Sequence, residues 1–158
     1  MTARFSQTGD KIMQPAAKDD PFLNAFRGNF TGVLSWEDLD AFWRVVRSNA
    51  AGWYVYAIGE APPAAPASAE QVNLFIAEID ALLRKEHQED YCGIVYTDSK
   101  TEPRMIKIFD PNNLGVQCGF SDNPPLPGWV LSRLPPLALH DRAHRPENRR
   151  RWWRRLWD

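Results

Sequence analysis

The chain has 158 residues, 44% of them apolar and 25% charged, and a net charge of −1. This is the length and balance of one ordinary globular domain, or of a slightly smaller domain with a tail, and it excludes bulk disorder. No run approaches the ~20 apolar residues that span a bilayer, the N-terminus lacks the apolar core of a secretory signal, and two isolated cysteines, Cys92 and Cys118, are no disulfide framework. A soluble protein in a reducing cytoplasm is the expectation. The near-zero net charge hides a split. From His140 to Asp158 seven arginines face three acids, so this segment is +4 and residues 1–139 are −5.

Residues 1–20 are polar and aperiodic, which predicts a mobile arm. Phe22, Leu23, Phe26 and Phe30 then bring enough apolar surface for a helical turn packed on the body. Ser35 is a capping residue, and Glu37 and Asp38 suit the positive end of a helix dipole. Behind them Trp36, Leu39, Phe42, Trp43 and Val46 recur at three- and four-residue steps. That spacing predicts an amphipathic helix over about 36–48.

Trp53–Ile58, aromatic and β-branched between two glycines, reads as a strand covered on both faces. A Pro/Ala linker follows. Ser68 with Gln71 forms a capping box, and Val72, Phe75, Ile76, Ile79, Leu82 and Leu83 make a stripe of period 3.6, so a helix is predicted over about 69–86. Strand-like runs come next at about 91–96, 105–109 and 116–120, joined by turn-rich segments of hairpin length. They predict a three-stranded meander, with strand 53–58 parallel to a neighbour or added at an edge. Trp129–Leu131 is either a short strand or a plug, and Pro135-Pro136 end the domain.

The fold class that follows is α+β: a two-layer sandwich with a mainly antiparallel sheet and both long helices on one face. Residues 1–20 form an arm, 21–136 one domain, and 137–158 a basic tail.

The tail carries the clearest functional signal. In Arg149-Arg150-Arg151-Trp152-Trp153-Arg154-Arg155-Leu156-Trp157, a helix would gather Trp152, Trp153, Leu156 and Trp157 on one side. Arg151, Arg154 and Arg155 would stand opposite, with Arg149 and Arg150 flanking or interrupting the apolar sector. A basic amphipathic helix suits a protein groove first, an anionic membrane surface second, and nucleic acid third. The competing reading is that the tryptophans fold back over the sheet and leave the arginines solvated.

Other features read as structural. His140 and His144 have metal-ligand spacing, but no Cys/His cluster supplies further ligands. Cys92 and Cys118 sit mid-strand with no adjacent histidine, as buried core cysteines do. Asp110–Gly115 has the composition of a tight turn. The Pro124–Trp129 segment reads as a rigid loop anchored by Trp129, rather than as a polyproline ridge for a partner. No phosphate-binding glycine loop, nucleophile elbow or zinc-protease signature is present, and no cofactor is implied. The sequence therefore leans away from an enzyme. It points to an accessory or adaptor protein that docks on a larger assembly through residues 149–157. The alternatives are a small-ligand binder or small enzyme using an aromatic sheet face opposite the helices, lined by some of Tyr54, Tyr56, Tyr91, Tyr96 and Phe120, and tail-mediated binding of nucleic acid or membrane.

Overall fold

A computed structural model describes residues 19–112, 126–139 and 146–157. The elements run α1 (Pro21–Phe26), β1 (Thr31–Ser35), α2 (Trp36–Arg47), β2 (Tyr54–Ala57), α3 (Ala69–Glu86), β3 (Tyr91–Thr97), β4 (Met105–Ile108), β5 (Trp129–Ser132) and α4 (Glu147–Trp157). The strands form one sheet in the order β1-β3-β4-β5-β2, with every neighbouring pair antiparallel. The α+β fold expected from the sequence is the observed one.

Two details differ from the sequence reading. The strand beside β4 is β5, at 129–132, rather than 116–120, and the latter lies outside the described residues. β5 in turn carries β2 at the sheet edge, one of the two placements expected for strand 53–58, with antiparallel pairing. β1 was not anticipated. It abuts α2 directly, and its last residue, Ser35, is also the helix cap, accepting from Asp38 N–H at 2.9 Å. A strand that runs into a cap leaves no turn residues to mark it.

Directly opposed residues of antiparallel strands share a face, so the register sorts the sheet. Val33, Val95, Ile108, Trp129 and Ala57 form one rung, and Thr97, Ile106, Leu131 and Val55 another. Both rungs face the larger core, where they meet Leu39, Phe42, Trp43 and Val46 of α2 and the Val72–Leu83 stripe of α3. The consecutive residues Ile94 and Val95 both belong to this core. Strict alternation forbids that, and an irregularity resolves it: the β1–β3 register shifts here, and Gly93 adopts φ +66°, a conformation cheap only for glycine.

Tyr56, Val130, Lys107 and Tyr96 point to the opposite face. There Phe22 of α1 and the partly buried Phe26, Phe30, Leu134 and Leu139 join Tyr56 and Val130 in a second, smaller cluster. Both long helices lie on the first face, as their periodicity required. They are tied by Trp43 Nε1–H donating to Asp80 (3.1 Å) and by Arg84 bridging Asp40 (2.7 Å) and Asp80 (2.9 Å). The capping box of α3 is complete, with Gln71 N–H donating to Ser68 Oγ at 3.1 Å and Ser68 N–H to Gln71 Oε1 at 2.9 Å.

Candidate functional site

The Arg/Trp segment is the 11-residue helix α4, and it packs on α3 and the sheet. Its inward stripe is Arg149, Trp152, Trp153 and Leu156, the two tryptophans partly buried, at the i, i+3, i+4, i+7 spacing of one helical face. Trp152 meets Phe75 of α3 edge-on at 6.3 Å and Trp129 of β5 at 5.6 Å. Trp153 meets Phe75 at 6.2 Å and Trp157 at 5.0 Å, again edge to face. Such aromatic pairs add about 0.5–1.5 kcal/mol each beyond the area they bury.

Arg149 sits inside this stripe and is only 2% exposed. Its guanidinium is held from two sides. Nη1 and Nη2 donate to Glu86 at 2.9 and 2.6 Å, while Nε and Nη2 donate to Asp110 at 2.9 and 3.0 Å. Burial alone would lower the pKa of this group, but the hydrogen bonds and charges of the two carboxylates outweigh it. The net shift is upward and Arg149 stays charged. The planar fork of arginine makes this two-sided grip possible, and lysine cannot reproduce it. Asp110, itself buried, also accepts from Asn112 N–H at 2.9 Å, so it both closes its turn and anchors the helix.

The opposite side of α4 is different. Arg151, Arg154 and Arg155 are exposed and Arg150 is half-buried. Arg154 pairs with Glu147 at 2.9 Å, both side chains being mostly in solvent. Arg151 and Arg155 meet no carboxylate among the described residues. The helix thus presents a row of guanidiniums on a scaffold whose apolar side is occupied. A cleft of about 280 Å³ runs between α3 and α4, with Glu78, Lys85, Trp152 and Arg155 on its walls.

Of the residues expected to line an aromatic face, Tyr56 and Tyr96 share the sheet face opposite the long helices. Tyr56 is 1% exposed, its hydroxyl accepts from Leu139 N–H at 2.8 Å, and burial raises its pKa. Tyr54 and Tyr96 are half-buried, Tyr91 is 58% exposed, and Phe120 lies outside the described residues. At the centre of that face Lys107 Nζ lies 4.1 Å from the Phe26 ring centroid and 4.0 Å from that of Phe30. Burial lowers its pKa. Cys92 is fully buried and burial raises its thiol pKa, as for a cysteine packed in a core. Cys118, His140 and His144 lie outside the described residues. Among the described residues no three His, Cys, Asp or Glu side chains converge as a metal site requires, and no helix is long and apolar enough to cross a membrane.

No family model, curated protein or solved structure matches the chain. On the sequence, Arg149 falls among the residues expected to contact a partner. Its place on the stripe with Trp152, Trp153 and Leu156 was the available signal that it belongs to the buried side.

Proposed function

We propose that the protein is a non-enzymatic accessory module that docks on an acidic face of a larger protein assembly through the arginine side of α4. One observation carries this reading: Arg151 and Arg155 project from a folded helix without carboxylate partners among the described residues, while the tryptophans beneath them are engaged. A helix already ordered on its body loses little conformational freedom when it binds. Guanidinium forks match carboxylates in geometry as well as charge.

The engaged indoles also separate the possible partners. Insertion into a membrane interface needs a free apolar face on the helix, and single-stranded nucleic acid needs free rings on which bases stack. An acidic protein surface needs only the arginines.

The test compares the full chain with Arg151→Glu/Arg155→Glu by fluorescence anisotropy. The probes are an oligo-glutamate peptide, phosphatidylserine-containing vesicles and single-stranded RNA. The acidic peptide is expected to bind the wild-type chain and not the variant, with unchanged circular dichroism. Preference for vesicles or RNA over the peptide would overturn the reading. A pull-down from native lysate with the same pair then identifies the assembly.

A further inference from the structure

A second cationic centre lies away from α4, where the end of α2 meets the end of β5. Arg133 follows β5 directly and spends its guanidinium on the loop after α2. Nη2 donates to Asn49 O at 2.6 Å and Nη1 to Ala51 O, while Cζ lies 4.1 Å from the ring centroid of the buried Trp53. These anchors fix the position of the charge without neutralising it.

Arg104, which immediately precedes β4, stands nearby. Burial and the charge of Arg104 together lower the Arg133 pKa, as expected when like charges face each other without a counter-ion. Neither arginine has a carboxylate within ion-pair distance among the described residues; Glu102, on the same wall, pairs with neither. Between them opens a cleft of about 560 Å³, also lined by Ser48, Asn49 and Thr101. Its volume is in the range of small-molecule sites. Trp53, part of the wall, keeps a buried Nε1–H with no acceptor among the described residues. Two guanidiniums, the Thr101 hydroxyl and the Asn49 amide supply hydrogen-bond donors on this wall, the Ser48 hydroxyl being committed to Val45 O at 2.6 Å.

We propose that this cleft binds the oxyanion of a small metabolite, a phosphate or carboxylate group held between Arg104 and Arg133. Arg133 is the fixed half of the grip, and Arg104 is the exposed half that closes on the ligand. The proposal is independent of the docking role of α4, since no residue of α4 lines this cleft.

Isothermal titration calorimetry on the full chain tests it, with inorganic phosphate, glycerol 3-phosphate and succinate as probes at ionic strength matched with sodium chloride. The comparison variants are Arg104→Gln, at an exposed position, and Arg27→Gln, an exposed arginine outside the cleft; circular dichroism verifies that both fold. At least one probe is expected to bind saturably. Arg104→Gln should weaken it by about tenfold, the factor that corresponds to about 1.4 kcal/mol, and Arg27→Gln should leave it unchanged. Binding of the phosphates alone assigns a phosphate ligand, and binding of succinate alone a carboxylate; either supports the site. Absence of saturable binding by all three probes, or equal loss in both variants, would overturn it.

Discussion

Helices α3 and α4 lie on the same face of the sheet but are held there by different physics. α3 is 18 residues long and buries six apolar side chains, Val72, Phe75, Ile76, Ile79, Leu82 and Leu83. Each such burial contributes about 1.5–3 kcal/mol. No single contact decides whether α3 docks. α4 has 11 residues, of which only Leu156 and Arg149 are buried. An isolated helix of that length is marginal in water. Its docking therefore depends on a few aromatic contacts and on one charge held by carboxylates from two different places, the end of α3 and the turn after β4. An apolar stripe tolerates loss of a member; a two-sided ion clamp does not.

The largest expected effect breaks the clamp. Arg149→Ala leaves Asp110 buried and Glu86 partly buried without their cation, and removing one partner of a buried pair costs about 3 kcal/mol or more. Urea unfolding should show a loss of that size, with a red shift of tryptophan emission as α4 leaves the body. Arg149→Lys keeps the charge without the fork and should fall between the two. Leu156→Ala comes next, at about 2 kcal/mol, the low end for a truncated buried leucine. Its effect should concentrate on α4, where few other apolar contacts compensate. Ser68→Ala removes the cap of α3 and should cost about 1 kcal/mol by thermal melting without displacing that helix. Arg154→Ala breaks an exposed pair and should change stability by about 0.5 kcal/mol or less.

The other face of the sheet sharpens the comparison from a different side. Arg149 is a buried cation held by carboxylates and its pKa is raised; Lys107 is a half-buried cation held by two phenylalanine rings and its pKa is lowered. For Lys107 the folded state binds the proton more weakly than the unfolded chain does. Stability relative to Lys107→Met should therefore rise with pH from the depressed folded value up to the ordinary lysine value of about 10.4, and be flat below that window. Denaturant melts of both proteins across the alkaline range measure this.

What the sequence revealed divides along the same line. The helices at 36–48 and 69–86 were legible because their signals are local: Ser35, Ser68 and Gln71 at the caps, and apolar residues at helical spacing behind them. The β3–β4 hairpin was legible from its turn residues. β5 was harder to read, because the four residues Trp129–Ser132 are all buried, so no alternation separates a central strand from a plug. β1 was hidden by its fusion with the cap of α2. The role of Arg149 was hidden by distance: its partners lie 63 and 39 residues away in sequence, and only the folded chain brings Glu86 and Asp110 to one guanidinium. The Arg104–Arg133 cleft was invisible for the same reason.

The measurement that bears most directly on this account is native-state hydrogen exchange, followed by mass spectrometry, on the wild-type chain and Arg149→Ala. The amides of α4 are expected to be protected in the wild-type chain. In the variant they should exchange at the rates of unstructured chain, while those of α3 keep their protection. Exchange of α4 at unstructured rates in the wild-type chain itself, or undiminished protection in the variant, would contradict it.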